Sequence, residues 1–464
     1  MNSNNIENLK QYKHVHLIGI GGVSMSAIAE VLHNWGILVT GSDCSKSKIT
    51  DKLASHGIVI SIGHNTNLVE KADFVIYSAA IKPDDPELIC AKTNNIPIVE
   101  RADFVGFLTR IYDNTIGIAG THGKTTTTSM IALCFLYANL DPSIQVGAIL
   151  KDIGGNYRVG NSDFFILEAC EYVESFLKFS PQSTVVTNID NDHLDYFKTF
   201  DNIKHAFAKY VNLLPKEGTL VTNADDPDCL ELRKSTSARV ITFGIRNDKA
   251  NFIGRNIVYD NKGFPKFDVY RNNMYFGEFK LSIPGIHNVY NALACIAMCS
   301  AYGISKQIIK NTLATFGGAN RRFEYIGSYN NTDVYDDYAH HPSEIAATAK
   351  AMKNKTYRQS WVVFQPHTYS RTKELLGSFA EALLDFDNII ITDIYAAREQ
   401  NTYGISSKDL VKKISDLGKN AIYISDFEDI AKYIKDHACP YDLVLTMGAG
   451  TVCEVGRILL DSTK

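Results

Sequence analysis

The chain has 464 residues, of which 45% are apolar and 21% charged, and it carries a formal net charge of −4. At roughly 100–200 residues per domain, that is two to four ordinary globular domains with several buried cores. Lys and Arg are spread along the chain without a basic tail or aromatic–basic stripe, which argues against a nucleic-acid partner, and no apolar run reaches the roughly 18–20 residues of a membrane span.

The start, MNSNNIENLKQYK, is polar and unlike a signal peptide. It leads into HVHLIGI (14–20), a short apolar strand followed by the turn GGVSMS. AIAEVLHNWG (27–36) has helical spacing and stops at Gly36. ILVTGSD (37–43), IVISIGH (58–64) and FVIYSAA (74–80) read as further strands. A βαβ succession of this kind predicts a parallel sheet with right-handed crossovers. A second start follows at 115–140, as strand, Gly loop and long apolar helix, with FFILEACE (164–171), STVVTNID (183–190) and GTLVTNADD (218–226) as its strands. It closes near Gly317 and Gly318. WVVFQPH (361–367), NIIITDIY (388–395) and YDLVLTMGAG (441–450) belong to a third unit. The reading is an α/β chain of three domains, 1–112, 113–318 and 319–464. Nine cysteines are scattered without a CxxC pair. Cys295 and Cys299, on an apolar helical stretch, read as core thiols, and the pattern fits a reducing cytoplasm.

The most informative segment is Gly120-Thr121-His122-Gly123-Lys124-Thr125-Thr126, between a strand and a helix. Glycines let successive N–H groups converge on one point, and a helix N-terminus adds partial positive charge there. Lys124 is placed to reach β- and γ-phosphates, and the Thr125 hydroxyl to meet Mg²⁺. The strict P-loop pattern is not met, because Ile118 stands where its first Gly belongs. Glu168 ends one following strand, and Asn188, Asp190, Asp192 and His193 follow the next; ligands of open α/β sheets collect at such carboxyl edges. Mg²⁺ prefers oxygen and keeps several waters, so a few protein ligands suffice, and His193 reads equally as a loop histidine.

Other segments leave alternatives open. Gly19-Ile20-Gly21-Gly22, with Ser42-Asp43 after the next strand, suits a dinucleotide, the diphosphate of a UDP-sugar, or mere tight strand–helix packing. His287, Asn288 and Asn291 open an apolar helix and suit a purine edge or a helix cap. Arg321 and Arg322 follow the Gly-Gly pair and suit a phosphate, a carboxylate or an interdomain ion pair. Asp336 to Pro342, with His340 and His341, and Gln365 to Arg371 gather titratable groups after two strands, as a recognition site or as solvated loops.

In order along the chain, GIGGVSMSAIAE, GSD, YSAAI, GTHGKTTT, EACEY, NIDNDHLDYF, PGIHNVYNALA, NRRFE, DDYAHHPSEI, FQPHTYSRT and MGAGTV resemble the Mur ligases, most closely their L-alanine-adding branch. The resemblance runs from Gly19 to the end. It implies a Rossmann-like N-terminal domain for the UDP-sugar, a central P-loop ATPase-like domain and a Rossmann-like C-terminal domain. It further implies ATP-dependent joining of L-alanine to UDP-N-acetylmuramate through an acyl phosphate, with ATP and Mg²⁺, in a cytoplasmic monomer or homodimer that binds neither nucleic acid nor membrane. By the resemblance, Gly19, Gly21, Gly22, Ser42 and Asp43 hold the UDP-sugar. Gly120, Thr121, His122, Gly123, Lys124, Thr125 and Thr126 hold ATP phosphates, and Thr125, Glu168 and His193 organise Mg²⁺. Lys124, Glu168 and His193 form the catalytic set. His287, Asn288 and Asn291 meet adenine, Arg321 meets phosphate, and His340, His341 and Arg371 position L-alanine. Ser24 departs from the family's GIGGxGMS, and Thr368 stands where many relatives have Arg. The rivals are a ligase that recycles a whole tripeptide onto the same sugar, a nucleotide-dependent oxidoreductase suggested by the GIGG turn and Asp43, and a non-catalytic nucleotide-binding regulator.

Overall fold

A computed structural model describes residues 12–461 apart from Ala79 and Arg398, so most of the polar lead-in lies outside the described residues. The first sheet contains β1 (His14–Ile18), β2 (Leu38–Asp43), β3 (Val59–Ile62), β4 (Phe74–Tyr77) and β5 (Ile98–Glu100), in the order β3-β2-β1-β4-β5. All four pairings are parallel. Every residue of β1 is buried, including the alternating His14 and His16, whose rings are satisfied inside the protein by the Thr40 hydroxyl at 2.9 and 2.8 Å. Strand order reverses at β1, so the loop at its C-terminal end opens at a topological switch point. The helix after that loop runs Val23–Asn34, starting four residues earlier than apolar spacing suggests, because Gly22 in extended conformation already serves as its N-cap.

The central strands are β6 (Asn114–Ala119), β7 (Ser143–Leu150), β8 (Gly155–Arg158), β9 (Phe164–Glu168), β10 (Ser183–Val186), β11 (Thr219–Asn223) and β12 (Arg239–Gly244), in the order β12-β11-β10-β6-β9-β7-β8. β6 lies between β10 and β9 and is parallel to both, a second switch point. Its loop leads into the helix Lys124–Tyr137, buried from Thr125 to Phe135. β7 and β8 form an antiparallel hairpin that the sequence reading did not contain.

β13 (Phe252–Tyr259), β14 (Pro265–Arg271) and β15 (Met274–Lys280) form an antiparallel meander. The third set contains β16 (Glu324–Tyr329), β17 (Thr332–Asp337), β18 (Ser360–Phe364), β19 (Asn388–Ile391), β20 (Ala421–Tyr423) and β21 (Leu443–Met447), in the order β16-β17-β21-β18-β19-β20. Only the β16 edge is antiparallel among its described pairings. Both faces are covered: Val362 and Phe364 enter one buried cluster with Phe379 and Leu445, while Trp361 and Val363 enter another with Ile430 and Val444.

The chain packs as two units, residues 1–243 with 294–308 and residues 244–293 with 309–464. In the first, Ile28, Leu32 and Phe74 share one buried cluster with Phe165, Phe207 and Tyr210, so the first sheet and the central strands are cemented by common apolar side chains. The α/β class with Rossmann-like parallel sheets is the one the motifs imply. Cys295 and Cys299 are fully buried, their sulfurs 3.8 Å apart, with Cys134 Sγ 3.7 Å from Cys295 Sγ. Burial pushes the Cys295 and Cys299 thiols well up, as expected of core thiols.

Candidate active site

The phosphate loop is built on two glycines that no other residue replaces cheaply. Gly123 has φ +82° at the start of its helix, and Gly120 has φ +134°. A Cβ at Gly120 would collide with Thr187 Oγ1. The reason is close docking onto the end of β10. Thr121 N donates to Asn188 O (3.0 Å), and His122 N donates to Asn188 Oδ1 (2.8 Å). Asn188 Nδ2 and Thr187 Oγ1 donate to His122 O at 2.9 and 2.7 Å. Asp190 N donates to Thr121 Oγ1 (2.9 Å), and His122 Nε2 lies 2.9 Å from Asp190 Oδ2. The loop's shape is thus held by the protein's own hydrogen bonds.

Lys124 folds back over its own loop. Its Nζ donates to Gly120 O (2.5 Å) and Thr121 O (3.0 Å) and sits 3.0 and 2.9 Å from the two Glu171 oxygens. Glu171 is buried. Burial alone would pull the ammonium's pKa down; the Glu171 carboxylate, with Cys170 and Glu168, outweighs it and holds Lys124 above the ordinary lysine value. The motif EACEY contains Glu171, but spacing gave no sign that it, rather than Glu168, would hold the lysine.

Glu168 ends β9 beside Ile118 of β6. Its Oε1 accepts from Gly147 N at 2.5 Å. His193 has φ +57° and precedes the short helix Leu194–Phe197. Its N donates to Asp192 Oδ1 (2.7 Å), and its ring lies 4.7 Å from that of Tyr172. Val173 and Glu174, next to Tyr172, also have left-handed φ of +49° and +53°. Such conformations in non-glycine residues, one of them β-branched, concentrate at functional sites. Among the described residues, no three-membered His/Cys/Asp/Glu group with ligand atoms within 4.8 Å includes Glu168 or His193. The buried Thr125 and the anchored Glu168 carboxylate are oxygen donors of the kind a hydrated Mg²⁺ accepts, so the residues present fit that ion.

At the first loop, Gly21 N donates to Asp43 Oδ2 (2.8 Å), and Gly19 N and Ile20 N donate to Ser42 O (2.9 and 3.0 Å). Ser42 gives its hydroxyl to the buried Glu87 at 2.5 Å. Burial pushes the Glu87 pKa up, but hydrogen bonds from His16, Ser42 and Asn65 N outweigh it and leave the pKa lowered. The Ser42 carbonyl and the Asp43 carboxylate therefore shape the loop from behind, a task the motif alone does not reveal.

In the other unit, Arg321 has φ +59° and a fully engaged guanidinium: Nε to Asp336 Oδ2 (2.8 Å), Nη1 to Gly450 O (3.0 Å) and Nη2 to Gly448 O (2.6 Å). Its ion pair lies within this unit, not across a domain boundary. Burial pushes the Asp336 carboxyl up against the opposing pull of Arg321. His340, His367 and Arg371 are brought together, with ring centroids of the two histidines 5.7 Å apart and Arg371 Nη1 3.4 Å from His367 Nδ1. His341 instead caps the helix Pro342–Met352, its Nδ1 accepting from Ser343 N at 3.4 Å. Thr368 holds φ +63° and caps the helix Tyr369–Glu374 through Arg371 N. Asn288 and Asn291 are buried within the helix Ile286–Ala301; Asn288 Nδ2 donates to Pro284 O (2.7 Å) and Asn291 Nδ2 to Asn288 Oδ1 (3.0 Å), so Asn288 sits inside the helix and not at its N-cap. His287 packs so close to Gly285 that a Cβ there would come within 2.5 Å of its ring.

Three family models match the chain: the Mur ligase family catalytic domain over 14–112, the Mur ligase middle domain over 118–299 and the Mur ligase glutamate ligase domain over 321–450. The chain is 50% identical over 450 residues to the UDP-N-acetylmuramate–L-alanine ligase of Acetivibrio thermocellus, covering 97% of this chain and 96% of the relative. It is 47% identical to the ligase of the same name from Clostridium tetani, with 97% and 99% covered. The crystal structure of UDP-N-acetylmuramate–alanine ligase from Thermotoga maritima is similar at TM-score 0.84 and 30% identity, covering 98% and 100% of the two chains. A murein peptide ligase from Psychrobacter arcticus shares the fold at TM-score 0.71 and 24% identity, with 97% and 98% covered.

Proposed function

The chain belongs to the Mur ligase family, and on that premise we propose that it joins L-alanine to the carboxylate of UDP-N-acetylmuramate, converting ATP to ADP and phosphate in peptidoglycan precursor synthesis. Family membership sets aside the oxidoreductase reading. The observation that carries the proposal is the loop Gly120–Thr126, docked on Thr187 to Asp190 with Lys124 at its mouth.

The muramoyl carboxylate attacks the γ-phosphorus of ATP, and ADP leaves. The product is an acyl phosphate, whose carbonyl the alanine amine then attacks to expel phosphate. Loop N–H groups and the helix N-terminus hold the β- and γ-phosphates. Lys124 exchanges Glu171 for the phosphoryl oxygens, whose negative charge takes over from the Glu171 carboxylate in favouring the ammonium form. Thr125, Glu168 and His193 would hold Mg²⁺, which when bound neutralises developing phosphoryl charge. Gly19, Gly21 and Gly22 present the sugar diphosphate to the N-terminus of the helix Val23–Asn34, with Ser42 and Asp43 fixing their backbone. Arg371, beside His367 and His340, receives the alanine carboxylate. The domains are 1–112, 113–318 and 319–464. Among the described residues no helix is long and apolar enough to cross a membrane, and nucleotide substrates place the reaction in the cytoplasm.

The test is product analysis by mass after incubation with ATP, Mg²⁺ and UDP-N-acetylmuramate. Appearance of the L-alanyl product with alanine as the best amine is expected. Product with a tripeptide but not with alanine would assign the chain to the recycling reaction instead.

A further inference from the structure

One short stretch of β7 touches both the sugar loop and the candidate metal carboxylate. Gln145 Nε2 donates to Ser24 Oγ at 2.8 Å. Two residues on, Gly147 N donates to Glu168 Oε1 at 2.5 Å. The same Ser24 oxygen accepts from Arg101 Nη1 at 3.4 Å, and Asn156 Nδ2 of β8 donates to Val23 O at 2.7 Å. The first turn of the helix Val23–Asn34 is therefore fastened to the β7–β8 hairpin rather than only to its own sheet.

The register shows where movement can pass. Gln145 is paired on both sides, with Tyr157 of β8 and with Leu167 of β9, the residue before Glu168. Between Gln145 and Leu150 the pairing with β8 is irregular, so Gly147 lies in a bulged, deformable stretch. A Cβ at Gly147 would stand 2.7 Å from Glu168 Oε2 and 3.0 Å from Oε1, so the carboxylate can rest on this strand only because residue 147 has no side chain. Ser24 Oγ accepts two hydrogen bonds, which leaves its own proton to donate. An anion at the helix N-terminus attracts that proton and the Arg101 guanidinium together. Ser24 is thus joined through Gln145 to Leu167, the residue before Glu168, and Gly147 on the same strand holds the Glu168 carboxylate.

We propose that Ser24 and Gln145 are positioning residues that couple the sugar-diphosphate loop to Glu168 through β7, so that a nucleoside-diphosphate sugar and the metal–nucleotide strengthen each other's binding. The proposal rests on the ligase reading above. It gives Ser24, a departure from the family loop, a role toward Gln145 rather than toward the diphosphate alone. Neither residue touches the reacting atoms, so their removal acts on affinity more than on the chemical step.

The experiment is calorimetric titration of the full chain with UDP-N-acetylmuramate, with and without a non-hydrolysable ATP analogue and Mg²⁺, and the converse. In the unaltered protein each ligand tightens the other by about fivefold or more, by the same factor in both directions. Ser24→Ala and Gln145→Leu each bring that factor close to one, while the analogue alone binds within about twofold of the unaltered protein. The double variant is no worse than either single one, and Ser24→Thr, which keeps the hydroxyl, keeps the coupling. An unaltered protein that binds both ligands without coupling, or a Gln145→Leu variant with full coupling, overturns the proposal. Failure of the unaltered protein to bind the UDP-sugar at all overturns the ligase reading instead.

Discussion

The chain builds the same local structure twice and uses it differently. At Gly19–Gly22 and at Gly120–Gly123 a buried parallel strand ends at a switch point, turns through glycine and starts a helix. The first loop is held from behind by Ser42 and Asp43 of the neighbouring strand and carries no cation of its own. The second is clasped by Thr187 to Asp190 and carries Lys124, pinned to Glu171. Topology places both loops at carboxyl edges; on the proposed function, the residues around them decide which one binds passively and which one supports phosphoryl transfer.

The largest expected effect is at Lys124. Lys124→Ala removes the cation from the phosphoryl group, and steady-state assays should find turnover reduced by about 10³-fold or more. It also strands the buried Glu171 carboxylate, so thermal or denaturant unfolding should show a loss of about 3 kcal/mol. Adding Glu171→Gln should restore stability without activity. A Lys124→Ala variant with near-normal ligation would erase the distinction between the two loops.

Glycine substitutions come next. Gly120→Ala forces a Cβ onto Thr187 in a backbone conformation that only glycine adopts readily, and ATP affinity should fall by about tenfold or more. At Gly22 a Cβ meets nothing nearer than Gly19 O at 3.4 Å, and its φ is −66°. Gly22→Ala should therefore leave the melting temperature nearly unchanged. Equal damage at both positions, read by calorimetry and nucleotide titration, would mean that the loops are equally constrained.

The smallest effect is in pH. Glu87 behind the first loop has a lowered pKa, so the stability it contributes is present above the unfolded value of about 4.3 and is lost as pH falls through the folded one. Lys124 has a raised pKa, so its contribution is present below about 10.4 and is lost only as pH rises through the folded value. Glu87→Gln should lower the melting temperature at pH 7 and lose that effect in acid. A deficit independent of pH would show that the carboxylate's charge is not what holds Ser42.

Both loops were legible in the sequence because each short strand, HVHLI and NTIGIA, runs into a glycine turn and then a helical pattern. The β7–β8 hairpin was not, since SIQVGAIL mixes exposed and buried positions and bulges after Gln145. The meander β13–β15 was missed for a related reason: its strands are partly exposed and hold no apolar run like those of the parallel sheets, with Met274 and Tyr275 exposed. Lys124 could be named from GKT, but Glu171 could not, because the left-handed residues Val173 and Glu174 that reverse the chain beside it are not glycine. Likewise Arg321 reads as a phosphate ligand from NRRFE, whereas three local acceptors occupy it. Residue type announced the chemistry; what each group is already bonded to needed the fold.

The central claim is that carboxylate activation at the Lys124 loop precedes amide formation. UDP-N-acetylmuramate labelled with ¹⁸O in its carboxylate, turned over with ATP and L-alanine, tests it directly by mass spectrometry of the released phosphate. The account predicts one labelled oxygen in each phosphate. Unlabelled phosphate accompanying labelled amide product would contradict an acyl phosphate and the assignment built on it.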